Sequence, residues 1–181
     1  PDINYSYSDF AVEKISDEKF GVRYALSALK NVGRNSIAQI CLNRKKDGNF
    51  LSLVDFFSRI NVENLNKRQL ESLFKSGAFD SIEKNRSMLF SSVEQLIKLS
   101  STITEERNNN QANLFGEEIN NNMLSLIHND QWTKMETLKE EYSSIGFYFS
   151  AHPLDNYVDI LNKLNIDTYI DVLENRTNHT S

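Results

Sequence analysis

The sequence predicts a mainly α-helical protein, and three observations carry that prediction. Apolar residues recur at helical spacing, most clearly over Asn85–Ser100, where Met88, Leu89, Val93, Leu96 and Ile97 share one face. Two Gly-centred breaks, near positions 33 and 77, each follow an apolar run that reads as a helix. The clearest strand pattern is short and lies near the start: Phe10 and Val12, then Phe20, Val22 and Tyr24, separated by a polar stretch from Glu13 to Glu18. That alternation predicts a small β-hairpin, too small to stand alone and expected to lean on the helices after it. The full expectation is a helical domain with two hairpin-like breaks in tandem, a small N-terminal β-hairpin, a flexible linker and two C-terminal helices.

Composition bounds the function. The chain has 181 residues, 39% hydrophobic and 25% charged, which suits one core with appendages. It begins with Pro and shows no signal-peptide pattern, so an excised piece of a longer polypeptide is expected. No apolar run approaches the roughly 20 residues needed to span a bilayer. Cys41 is the single cysteine, which excludes an internal disulfide and a multi-cysteine metal site and suits a cytoplasmic setting. His128, His152 and His179 are far apart and lack Cys or acidic partners at metal spacing. Glu140-Glu141 reads as a solvated helix face, and no catalytic constellation is visible.

Pro1–Asn4 reads as an extended lead-in. The central stretch, Tyr24–Lys46, follows the β-hairpin. Ala25, Leu26, Ala28 and Leu29 form an apolar run that stops at Asn31-Val32-Gly33. A second run then places Ile37, Ala38, Ile40 and Cys41 on its apolar side and Arg34, Arg44, Lys45 and Lys46 off it. Two short helices joined through an apolar-Gly pair form the pattern of a helix-hairpin-helix. Gly33 has no Cβ, so it is expected to take positive φ and let another molecule approach. The unpaired amides opening the second helix would make a phosphate seat. The same residues also fit an ordinary helical hairpin in which Gly33 only ends the first helix.

Charge distribution separates the regions. Residues 21–50 carry a net charge of +5 and residues 101–181 one of −8, within a total of −5. Local field rather than total charge governs polyanion binding, and the surplus coincides with the hairpin. Residues 51–90 carry only +1.

Beyond the Asp47-Gly48-Asn49 turn, Leu51–Ile60 reads as a short helix carrying Leu53, Phe56 and Phe57. Asn66, with Gln69 three residues on, opens a helix over Lys67–Lys75 that ends at Ser76-Gly77-Ala78, the second break. Residues 101–130 are polar and Asn-rich, which predicts a flexible linker holding the apolar island Gln111-Ala112-Asn113-Leu114-Phe115. Trp132, Met135, Leu138, Tyr142 and Ile145 then repeat at helical spacing, and Gly146 ends that helix. Pro153 opens a last helix, Leu154–Leu164, with His152 capping or packing beside it. The β-leaning tail from Asn165 reads as the start of another domain.

Three stretches in order resemble the bacterial replicative C-family DNA polymerase, the polymerase III alpha subunit family. They are YALSALKNVGRNSIAQI, LNKRQLESLFKSGAFDSI at 65–82, and IGFYFSAHPLDNY at 145–157, with Pro1-Asp2-Ile3-Asn4 matching the start of the region. The match covers roughly residues 1–165. The resemblance implies a β-hairpin from the fingers region at 1–24 and a tandem helix-hairpin-helix domain at 25–100. It implies a linker with a clamp-binding peptide at 101–131, helices packing back at 132–165, and the beginning of an OB domain at 166–181. It assigns duplex DNA contacts to Lys30, Asn31, Val32, Gly33, Arg34 and Asn35 at the first hairpin and to Arg44, Lys45 and Lys46 on its helix. At the second, the contacts fall to Lys67, Arg68, Lys75, Ser76 and Gly77. Arg34 departs from the acidic residue expected after the hairpin Gly, which strengthens phosphate attraction. Gln111, Leu114 and Phe115 are similar to the sliding-clamp peptide Gln-x-x-(Leu/Met)-Phe, in which two apolar side chains fill a pocket and the amide bonds at its rim.

The resemblance therefore implies partners: duplex DNA without sequence preference, the sliding clamp (beta subunit), and other replicase subunits. It also places the carboxylates that hold magnesium upstream, so this chain is expected to bind no cofactor and not to polymerise, although the parent is a DNA-directed DNA polymerase. The alternative is a helical protein-interaction module that makes no DNA contact, its hairpins used only for packing.

Overall fold

The structure, a computed structural model, describes residues 1–60, 65–108 and 126–164. Two strands, β1 (Ala11–Lys14) and β2 (Phe20–Arg23), pair antiparallel with Val12 opposite Val22. Among the described residues seven α-helices follow: α1 (Arg34–Asp47), α2 (Leu53–Arg59), α3 (Lys67–Lys75), α4 (Arg86–Ser91), α5 (Val93–Asn108), α6 (Lys134–Ile145) and α7 (Val158–Lys163). Residues 1–149 form one compact unit and residues from 150 on a second. The mainly α prediction holds.

Local signals set the helix starts. Ser52 accepts from Asp55 N at 3.1 Å, Asn66 from Gln69 N at 3.0 Å and Asn85 from Met88 N at 3.0 Å, each satisfying an amide the helix leaves unpaired. Thr133 and Glu136 form a reciprocal capping box at the start of α6. These hydrogen bonds hold the Glu136 carboxyl below its ordinary pKa. In the second unit, His152 Nδ1 accepts from Leu154 N at 3.2 Å just ahead of Pro153, as its predicted capping role requires.

The core of the first unit is built around phenylalanines. Phe50, Phe56, Phe57, Phe74 and Phe79 are fully enclosed, with edge-on ring pairs at centroid separations of 4.8–5.2 Å. Leu70 and Leu73 of α3 and Leu89, Val93 and Leu96 of α4 and α5 close over them. Pro1–Asn4 is no loose lead-in: Ile3 is buried and its N–H donates to Ala78 O at 2.7 Å. Asn4 exchanges two hydrogen bonds with the Phe50 backbone, at 2.8 and 2.9 Å.

Four expectations need correction. The β-hairpin turns its apolar residues outward: Val12, Phe20 and Val22 are 65–73% exposed, and the less exposed face carries Ala11, Gly21 and the Arg23–Glu13 ion pair. The run before the first hairpin makes only a 3-10 turn, Leu26–Ala28, because the chain reverses too soon for a full α-turn. The predicted helix over 85–100 breaks at Ser92 and then continues to Asn108, so residues 101–108, expected to be linker, are helical. There Ser100 points inward, its hydroxyl reaching Phe57 O and Ile60 O, and Ile103 is buried. Ser92 survives at the break because its hydroxyl accepts from Ile127 N at 2.8 Å.

The fourth correction concerns Glu140-Glu141, which is not a solvated face. Glu141 is 1% exposed and bound to Arg86 at 2.8 Å; Glu140 is bound to Lys75 at 2.9 Å. These pairs attach α6 to α3 and α4. Arg86 also grips Asp80 at 2.6 Å. Burial works against the Arg86 charge, but the hydrogen bonds it donates to Asp80 and Glu141 outweigh it and hold the guanidinium pKa above its ordinary value.

Candidate nucleic-acid interface

The first hairpin is a tight reversal whose strained residue is Asn31, not Gly33. Asn31 takes φ of +64°, the left-handed region, while Gly33 is extended at φ −79°. Asn tolerates that conformation better than most residues because its short amide can bond locally. Gly33 gives closeness instead: a Cβ there would lie 3.1 Å from Gln69 Nε2 of α3, the far end of a side chain that would have to give by a few tenths of an ångström. Val32 is buried and anchors the reversal, and Lys30 N donates to Ser144 O of α6 at 2.8 Å.

Gly33 is the N-cap of α1, and no side chain caps it. The first intrahelical bond is made by Ile37 N to Gly33 O at 3.2 Å, so the amides of Arg34 and Asn35 precede the helical ladder. Their partial positive charge, summed with the helix dipole, suits an anion. Lys30, Asn31, Arg34 and Asn35 are exposed around this helix end. Arg34 pairs with Asp9 at the surface, both side chains 67% exposed, a contact weak enough to be exchanged for a phosphate.

Other predicted residues divide. Lys45 and Lys46 are exposed and without a carboxylate partner among the described residues, but they sit at the far end of α1, about 20 Å from Gly33 at 1.5 Å per residue. Arg44 is 9% exposed, and its Nη1 donates to Ile3 O at 2.7 Å and Ser6 O at 2.9 Å. It is a structural residue, not a surface cation. Its position seven after Ile37 and four after Ile40 places it on the buried face, a signal available in the spacing.

The second break is folded inward. Gly77 takes φ of +76° and is covered by the Arg86 guanidinium, which occupies the space of a Cβ. Ser76 is buried with its hydroxyl on Leu73 O at 2.9 Å, and Lys75 lies between Glu140 and the Phe90 ring, 4.6 Å from the ring centroid. Lys75, Ser76 and Gly77 thus hold α3 to α4 and α6. The opening turn of α3 meets the first hairpin instead. Gln69 reaches Gly33, with its Oε1 buried and unpaired among the described residues, and Lys67 and Arg68 are exposed in that same turn. Lys67 is held by Glu94 at 2.7 Å, which raises the lysine pKa and lowers that of the glutamate. Gln69 escaped the sequence reading because only tertiary contact reveals it. Gln111, Leu114 and Phe115 lie outside the described residues.

The magnesium implied for the polymerase family does not fit the residues seen. Among the described residues no three His, Cys, Asp or Glu side chains converge, and the carboxylates of Asp80 and Glu141 are both bound to Arg86. Nor is any described helix long and apolar enough to cross a membrane.

A model of the helix-hairpin-helix motif family matches residues 1–89. The DNA polymerase III subunit alpha of Caulobacter vibrioides is 36% identical over 163 residues, covering 90% of this chain and 14% of its own length. That of Neisseria meningitidis serogroup A is 39% identical over 158 residues, 87% of this chain and 13% of its own. That of Borreliella burgdorferi is 36% identical over 178 residues, 93% of this chain and 15% of its own. The chain thus spans about 13–15% of the length of these relatives. With a helix-hairpin-helix motif over the half that carries the hairpin, and alignment over about nine-tenths of its length, the chain is a relative of the DNA polymerase III alpha subunits.

Proposed function

We propose that the chain holds duplex DNA by its phosphate backbone, without reading sequence, and adds a second tether to the sliding clamp. In this role it keeps a DNA-directed DNA polymerase on its template and takes no part in bond formation itself. The observation that carries the reading is the uncapped start of α1 at Gly33, flanked by exposed Lys30, Arg34 and Asn35 within a matched helix-hairpin-helix motif. Backbone amides and cations see phosphates and not base edges, so the grip is indifferent to sequence. Lys67 and Arg68, in the α3 turn whose Gln69 abuts Gly33, extend the cationic surface. Arg44, Lys75, Ser76 and Gly77 serve this role indirectly, by holding the elements in place.

The clamp tether rests on Gln111, Leu114 and Phe115 as a pentapeptide resembling the clamp-binding pattern. Two linked attachments retain a polymerase far longer than either alone, because losing one leaves the other to hold the partner close. The packing use of the second break favours the alternative of a scaffolding module at that position, but not at Gly33.

One titration series with two arms tests both halves. Gly33→Asp with Arg34→Glu places a carboxylate where the phosphate would sit, and Asp is itself a good N-cap, so the fold is kept. Duplex affinity should fall and the slope of log affinity against log salt should lose about two contacts. Unchanged affinity and slope would sink the DNA reading. In the other arm, Leu114→Ala with Phe115→Ala should abolish binding to the beta clamp; undiminished clamp affinity removes the tether from the proposal.

A further inference from the structure

A cleft of about 1060 Å³ lies on the flank of α1, between that helix and the segment Asn4–Ala11. It is at the upper end of the range for ligand pockets, about 300–1,000 Å³. Its walls carry three aromatic side chains, Tyr5, Tyr7 and Phe10, each 54–56% exposed, with Leu42 opposite. So much exposed aromatic surface in one place is unusual unless something covers it.

The aromatic rings are backed by cations. Buried Arg44 lies 5.1 Å from the Tyr7 ring centroid, and Arg23 lies 5.9 Å from that of Tyr5. Arg44 is fixed by two backbone carbonyls, so the Tyr7 ring rests on a rigid support. Phe10 is braced edge-on by Tyr24 at 5.1 Å. Lys45 stands in the cleft wall with Lys46 beside it. The carboxylate in the lining, Asp9, is bound to Arg34. Braced aromatic faces beside exposed lysines match a base and its phosphate: rings stack with bases, and the lysines meet the backbone.

We infer that this cleft binds single-stranded nucleic acid, stacking unpaired bases on Tyr5, Tyr7 and Phe10 with their phosphates beside Lys45 and Lys46. A duplex cannot use it in this way, because paired bases already have both faces stacked. An apolar peptide would gain nothing from the lysines. The site is separate from the Gly33 amides and goes beyond the duplex grip.

The 181-residue chain is irradiated with a single-stranded oligothymidylate carrying 5-iododeoxyuridine, and adducts are mapped by mass spectrometry. Adducts should fall on Tyr5, Tyr7 or Phe10 and be competed by unlabelled single strand but not by duplex. Tyr5→Ala with Tyr7→Ala should weaken single-strand binding at least about fivefold and leave duplex binding unchanged, while Tyr5→Phe with Tyr7→Phe binds like the parent. Absence of adducts at these rings, equal competition by duplex, or full single-strand affinity in the alanine pair overturns the inference. If the alanine pair unfolds, the adduct map of the parent protein still decides. Gly33→Asp by itself, which leaves the Arg34–Asp9 pair at the cleft in place, acts on the duplex arm alone, so failure of one proposal is distinguishable from failure of the other.

Discussion

Asn31 shows how much one backbone angle can matter at a reversal. At φ of +64° it holds a conformation that costs other L-residues about 1–2 kcal/mol, and Asn recovers part of that. Asn31→Gly should therefore stabilise the chain by a few tenths to about 1 kcal/mol, and Asn31→Ala should destabilise it by about 1 kcal/mol. Thermal denaturation of the two variants checks both signs; a stabilising alanine would show that the strain is elsewhere. The sequence reading assigned the positive φ to Gly33, two residues away. Glycine permits such an angle without requiring it, and here its missing Cβ makes room for Gln69. Arg44 teaches the complementary lesson: an arginine on an apolar face is buried when backbone carbonyls wait for it, as those of Ile3 and Ser6 do.

Elements were the most legible scale, because caps and apolar spacing are local. Lys67–Lys75 forms the predicted α3, and Asn66 caps it as its position implied. The breaks were harder: Ser92 interrupts an uninterrupted apolar pattern because its hydroxyl serves Ile127 from another part of the chain. At α6 the Thr133–Glu136 box gives a pH signature. The folded carboxyl titrates lower than an unfolded glutamate, so its contribution is full above about pH 4.3 and disappears as pH falls through the folded value. Glu136→Gln should be less stable than the parent at neutral pH, with the difference shrinking towards zero as pH falls below about 4.3. Urea midpoints over that fall in pH test it, and a constant difference would contradict the capping account. The same logic makes the β-hairpin instructive: its period of two was legible, but which face turns outward was not, since alternation alone cannot choose a side.

On the scale of the whole first unit, the Asp80–Arg86–Glu141 cluster ties α4 to α6 and covers Gly77. Arg86→Met takes the guanidinium away from the buried Glu141 carboxylate and should cost about 3–5 kcal/mol, whereas Arg86→Met with Glu141→Leu should recover most of the loss. Urea unfolding of the single and double variants reads the coupling; additive losses would mean that the pair is not the fastener. Glu140-Glu141 could not be placed in advance because Arg86 lies 55 residues from Glu141. The sequence by itself determined the mainly helical fold, the α3 helix behind its Asn66 cap, the reversal at 31–33 and the kinship, since each depends on residue type at short spacing. Tertiary structure alone decided which cations face outward. A lysine or arginine reads the same whether it is free or paired, and its partner is chosen by packing between segments far apart in the chain.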